Sequence, residues 1–263
     1  MLTLTAAQWN GWLALYLWPF VRILAFVMVA PPFSDSQIPA RIKVGLAVVL
    51  TLVIAPTLAP PPAIEVGSPA GIWITMIQVM VGVALGFCVR VVFAAIGAAG
   101  ELISIQMGLG FATLFDSAQT ESNMVIGRFL TLTALTAFMA ADGHLLLLAT
   151  LHDVFTTFPV APGLIEAGGW LERGKAGLLI FSFGLRLALP VIGILLVVNL
   201  ALAVLSRATA QLNPFAIGLS ATLLAGLVLL ALVFVSLAPL LTEAVQHSLE
   251  IGARALRSAS PAE

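Results

Sequence analysis

Apolar runs of 20 to 30 residues recur along this chain, and they decide what solvent it can fold in. Gly11–Ala30 and Phe215–Leu241 carry few polar residues, and the runs at 70–99 and 176–205 are longer still. A helix needs roughly 20 mostly apolar residues to cross the hydrocarbon core of a bilayer. The runs are solid Leu, Val, Ala, Ile and Phe with no two-residue alternation, which favours helices over an outer-membrane barrel. The chain as a whole is 61% hydrophobic and 9% charged, with a mean hydropathy of +1.13, whereas a soluble domain carries about 25% charged residues. The expected fold is all-α: a polytopic integral membrane protein of about six long hydrophobic helices.

The runs are punctuated by chemistry that ends helices. A polar connection at 31–43 contains Pro31, Pro32 and Pro39. The second run covers about Val44–Leu58, and Pro60-Pro61-Pro62 then forms a rigid turn before the third. The stretch 100–128 is glycine-rich and mixed. The fourth run begins near Phe129 and is interrupted at Asp142-Gly143-His144, read as a break or cap between two helical halves. A loop with Pro159, Pro162 and Gly168-Gly169 precedes the fifth run, and Asn213-Pro214 separates the fifth from the sixth. The tail 242–257 spaces Leu249, Ala253 and Leu256 as an amphipathic or interfacial end. No leading Lys or Arg precedes the first run, so it is read as a retained span.

Loop charges set an expected orientation. Arg41, Lys43 and Arg207 place their loops in the cytoplasm and the N-terminus outside. Arg173 and Lys175, assigned to an outer loop, oppose this assignment, as do Arg254 and Arg257. The net charge of −1 offers no basic stripe for nucleic acid. Cys88, the single cysteine, is expected to be a small buried hydrophobe.

Polar residues at membrane depth are the candidate functional positions. Arg22, Arg90 and Arg186 lie inside apolar runs, where a guanidinium faces a partner or a water-filled cavity. The acids within reach are Asp142, Glu101 and Asp153. In a continuous helix Glu101 stands about 16 Å from Arg90, so partners have to come from other helices or other chains. Gly82, Gly86, Arg90, Ala94 and Ala98 follow each other at i+4, a stripe that admits close approach of another backbone. The expected subunit-packing and charge-pairing residues are Arg22, Gly82, Gly86, Arg90, Glu101, Asp142 and Arg186. Pro190 deprives the Arg186 carbonyl of its helical donor, and a kink is expected there. No zinc-helix pair, P-loop, dinucleotide fingerprint or nucleophile elbow occurs, so no catalytic residue, cofactor or metal is expected. Residues 104–116 combine Met107, Gly108 and Gly110 with Phe111 and Phe115. Such a stretch is either a membrane-surface loop or a deformable apolar plug buried in protein.

An ordered series of short elements resembles one family across nearly the whole chain. These are Phe20-Val-Arg22, Pro32-Phe33, Ile38-Pro-Ala-Arg-Ile-Lys43, Gly100-Glu101, Gln106-Met-Gly-Leu-Gly-Phe-Ala112, Gly143-His-Leu145, Leu189-Pro-Val191, Asn199-Leu-Ala-Leu202, Arg207, Gln211-Leu-Asn213 and Phe215-Ala-Ile-Gly218. The series is similar to the FliR family of flagellar biosynthetic proteins and its counterparts in type III secretion export gates. Two departures stand out: Ala210 where a proline commonly precedes Gln-Leu-Asn, and Leu219-Ser220 in place of an aromatic-proline step.

The resemblance implies tilted and kinked helical hairpins packed in a hetero-oligomeric gate in the bacterial inner membrane. It implies FliP-like, FliQ-like and FlhB-like partner subunits, unfolded export substrates and surrounding lipid. It divides the chain into a FliP-like portion, 1–175, and a FliQ-like portion, 176–263. It further implies that a loop near 107–116, with Met107, Gly108, Leu109, Gly110, Phe111 and Phe115, plugs the pore. The competing reading of the same residues is a proton-coupled small-molecule transporter using Asp142, His144 and the intramembrane arginines.

Overall fold

The computed structural model describes residues 6–109, 125–161, 168–208 and 214–257. Within them the chain is helical, with no strand among the described residues. The helices are α1 (Ala6–Val29), α2 (Ala40–Ile54, continued by a short 3-10 turn Ala55–Thr57), α3 (Pro69–Gln106), α4 (Val125–Ala140), α5 (Gly143–Thr157), α6 (Gly168–Ala208) and α7 (Pro214–Arg257). Four described segments are long and apolar enough to span a membrane: Gln8–Val29, Ala40–Thr57, Pro69–Gln106 and Ala188–Leu205. Taking α4 and α5 as one broken span gives a fifth, and Gly218–Leu232 is a shorter apolar stretch inside α7.

Several helices outrun the apolar segments that announce them. α3 has 38 residues, α6 41 and α7 44. At 1.5 Å per residue these extend roughly 57–66 Å, about twice the hydrocarbon thickness. Helix continuity needs only backbone hydrogen bonds, so a helix passes through polar residues that end a hydropathy run. α6 therefore starts at Gly168 and carries Arg173 and Lys175, which the sequence assigned to a loop. α3 absorbs Gly100 and Glu101 from the stretch read as mixed, and α4 begins at Val125, ahead of Phe129. Arg41 and Lys43 stand in the first turn of α2.

The expected break at Asp142 is present. α4 ends at Ala140 and α5 starts at Gly143, with Asp142 between them in the left-handed region (φ 55°, ψ 25°). Asp is among the few non-glycine residues that visit this region. Its side chain makes no capping hydrogen bond, so the backbone turn makes the break.

The helices form two compact units. The first comprises Met1–Val91, Asp142–Gly177 and Val245–Glu263; the second comprises Val92–Ala141 and Leu178–Ala244. In the first, Ala14, Trp18 and Ile74 form a buried cluster against which Ile64, Val66 and Val160 pack. The end of α7 belongs to this unit. Val245, Ser248 and Leu249 are buried while Glu243, Gln246, His247 and Glu250 are exposed. Ser248 donates to the backbone oxygen of buried Cys88 at 2.6 Å. At 245–249 the buried side of this amphipathic tail meets protein.

In the second unit the lower half of α3 packs on α4. Phe93 and Phe138 meet edge to face with centroids 5.7 Å apart. Gly100 and Gly127 bring the two backbones together, so that a β-carbon on Gly100 would lie 2.8 Å from the Gly127 nitrogen. That spacing leaves no room for a side chain and explains both glycines.

Candidate functional site

Arg22 is fully buried about two turns before the end of α1 and is the hub of the first unit. Its Nε donates to Gln78 Oε1 on α3 at 2.7 Å. Its Nη1 donates to the carbonyl oxygen of Phe158 at 2.9 Å and lies 3.4 Å from that of Val154. Its guanidinium carbon sits 4.2 Å from the centroid of the Phe155 ring. No carboxylate is among these partners. The charge is met by an amide oxygen, an aromatic face and the last carbonyls of α5. The C-terminal end of a helix carries partial negative charge and carbonyls without intrahelical donors, so a cation is well placed there. One side chain therefore ties α1, α3 and α5 together.

The surroundings of Arg22 hold it in place. One turn earlier, Trp18 Nε1 donates to Thr75 Oγ1 at 3.2 Å. Gly82 and Gly86 then bring α3 against α1. A β-carbon on Gly82 would meet the Arg22 carbonyl oxygen and lie 2.9 Å from Cβ of Ala25. One on Gly86 would lie 2.9 Å from Cβ of Val29 and 3.0 Å from the Phe26 carbonyl oxygen. The small-residue stripe thus makes its first two contacts within the chain. Further along, Arg90 and Ala94 are exposed and Ala98 is half-buried.

Arg90 and Arg186 differ from Arg22: both are exposed, and neither makes an ion pair or hydrogen bond with another described residue. Glu101 is half-buried, with its Cγ 3.5 Å from where a Gly127 β-carbon would stand. Asp142 is exposed, and His144, half-buried, has a buried Nδ1 without a partner. His144 stands at the start of α5, whereas Arg22 meets its end. Ten residues separate His144 from Val154, about 15 Å along the helix. Arg22 and the Asp142–His144 pair do not form one site.

The first residues of the glycine-rich stretch end α3. Gly108 takes φ 81°, its N–H donates to Ile105 O at 3.0 Å, and the Leu109 N–H donates to Ser104 O at 3.1 Å. This paired pattern is a Schellman motif with Gly108 at the left-handed position. Met107 just before it is fully buried. Its side chain lies over Gly226 of α7, where a β-carbon would come within 2.6–2.7 Å of Cγ, Sδ and Cε. The Thr222 hydroxyl, one turn away, lies 3.3 Å from the Met107 carbonyl oxygen and 2.9 Å from Gly218 O in its own helix. Gly110, Phe111 and Phe115 lie outside the described residues.

Sequence reasoning missed Gln78, Phe155 and Phe158 as the partners of Arg22, and Thr222 and Gly226 as the seat of Met107. A signal for Gln78 was present. It stands four residues before Gly82 and extends the Gly82–Gly86–Arg90 stripe by one step. The α5 carbonyls had no signal, because any residue supplies one.

No group of three or more His, Cys, Asp or Glu residues that could hold a metal occurs among the described residues.

The sequence profile of "Bacterial export proteins, family 1" matches residues 13–248. The chain is 43% identical over 239 residues to the flagellar biosynthetic protein FliR of Escherichia coli K12, covering 91% of each chain. It is 42% identical over 247 residues to the protein of the same name from Pectobacterium carotovorum, covering 94% of this chain and 93% of the relative. The protein so named from Bacillus subtilis is 28% identical over 209 residues, 78% and 80% of the two chains. The profile covers the Arg22 hub, both glycine contacts and the Met107 seat, and on that basis the chain belongs to family 1 of the bacterial export proteins, the family of FliR.

Proposed function

We propose that this protein is a core subunit of the flagellar type III export gate, forming a channel for unfolded flagellar proteins. The coarser statement follows from the family: the chain is a membrane component of flagellar protein export. In our reading it assembles with FliP-like and FliQ-like subunits, with an FlhB-like subunit attached, in the bacterial inner membrane. Its role there is structural, not enzymatic. The N-terminus faces the periplasm. Residues 1–175 form the FliP-like portion and 176–263 the FliQ-like portion.

The observation that carries this reading is the length of α3, α6 and α7, at 38, 41 and 44 residues. A helix twice as long as the bilayer is thick has to be covered by something besides lipid over much of its course. The exposed Arg90 and Arg186 favour the same conclusion. A guanidinium on an apolar helix gains from an acidic or carbonyl-bearing partner and loses against hydrocarbon. With Glu101 and Asp142, they are our candidates for pairing between subunits.

The plug belongs to residues 107–116. The Schellman motif at Gly108 ends α3 there, and Met107 seated on Gly226 anchors the near end of the segment. Deleting Gly108–Phe115 in assembled complexes is expected to make the membrane leaky to ions, read as conductance in cells or reconstituted vesicles. Unchanged conductance, with assembly intact, would refute the plug assignment.

A further inference from the structure

Three buried side-chain nitrogens in the first unit have no hydrogen-bond partner; one is His144 Nδ1, at the start of α5, and the other two are neighbours, Arg22 Nη2 and Gln78 Nε2. Both residues are 0% exposed, and the 2.7 Å bond from Arg22 Nε to Gln78 Oε1 joins them. That bond also sets the amide orientation. Arginine offers only donors, so the atom facing Nε is the amide oxygen and the NH2 group has to point elsewhere. The Nε–H and the Nη2–H that lies trans to Cδ form one edge of a guanidinium, the edge that takes a carboxylate with two parallel bonds. Gln78 fills half of that edge with oxygen. The other half faces no acceptor, and the amide NH2 of Gln78 adds a second unmet donor.

Flanking groups do not supply what is missing. Val154 O and Phe158 O lie against Nη1, the other terminal nitrogen, neither is a partner of Nη2, and Phe155 covers the face of the guanidinium. Buried polar nitrogens are nearly always satisfied, by protein or by an enclosed water or ion. We propose that Arg22 Nη2 and Gln78 Nε2 together bind one small acceptor, a water molecule or a chloride ion, enclosed within the first unit. Its chemistry is that of a single atom accepting two or more N–H bonds beside a cation. The chloride form is favoured by the lack of a carboxylate on Arg22, and the water form by the partial negative charge at the end of α5.

The test uses the full chain purified with the subunits that accompany it, in sodium chloride, sodium bromide and sodium gluconate. A density map that shows other buried waters should contain a peak bridging the two nitrogens. Anomalous scattering at the peak in bromide, with melting about 2–4 °C lower in gluconate, identifies the halide. A peak without either effect identifies water. Gln78→Glu supplies the second oxygen of a bidentate pair, so it should abolish the peak and any halide dependence while melting at or above the parent temperature. A map without the bridging peak in the parent protein overturns the proposal, whichever way Gln78→Glu melts.

Discussion

The two units each contain a point where helices meet closely, and different chemistry fills it. In the first unit the meeting point is Arg22, held by Gln78, Phe158 and the Phe155 ring and flanked by Gly82 and Gly86. In the second it is Met107 lying on Gly226, with Gly100 against Gly127. Hydrogen bonds to a guanidinium are directional and fix which helices meet and in what register. A thioether on a glycine is a contact of shape alone, and Met has three rotatable bonds with which to adapt. The first arrangement suits a part that has to stay as built. The second suits the base of a segment proposed to move.

The largest effect expected from this contrast is at Arg22. Arg22→Met removes the donors to Gln78 Oε1 and Phe158 O in a buried site. Each acceptor left unmet costs about 1–3 kcal/mol, so the variant should lose roughly 2–6 kcal/mol in denaturant or thermal unfolding in detergent. A loss under about 1 kcal/mol would mean that the hub does not organise the first unit.

A smaller and more discriminating effect compares two glycines. Gly82→Ala places its methyl against the Arg22 backbone carbonyl, which cannot yield without moving α1. Gly226→Ala meets only the flexible end of Met107. We expect about 2–3 kcal/mol for the first and about 1 kcal/mol for the second. Met107→Ala should recover most of the Gly226→Ala loss, because it removes the clashing atoms, and a double-mutant cycle measures the coupling. Equal losses with no rescue would erase the distinction between the units.

The smallest effect is expected at Arg90. It is exposed and makes no hydrogen bond with another described residue, so Arg90→Gln should change the stability of the isolated chain by no more than about 0.5 kcal/mol. In the proposed gate the same change should reduce recovery of the proposed partner subunits on co-purification. A large loss in the isolated chain would instead make Arg90 a second internal hub.

Much of the membrane architecture was readable from residue order. The apolar runs mark where helices cross, Asp142-Gly143 marks a break, and Gly82 and Gly86 mark a close approach. Helix ends were less readable. Gly168 falls in an expected loop and Gly100 in a stretch read as mixed, yet both are helical, because tertiary contacts and backbone continuity outweigh the modest helix penalty of glycine, about 1 kcal/mol. Gly108 is a glycine that permits unusual backbone angles, and it takes φ 81° where α3 stops.

By itself, the residue order determined the solvent, the helical class and the family, because hydrophobic length and ordered short motifs are properties of the chain read along its length. The partners of Arg22 were decided only in three dimensions. Gln78 is 56 residues away and Phe158 is 136 residues away, and one of the acceptors is a backbone carbonyl that every residue possesses. Which of the buried and exposed arginines is held within the chain depends on how helices α1, α3 and α5 converge, and that follows from packing whole faces together.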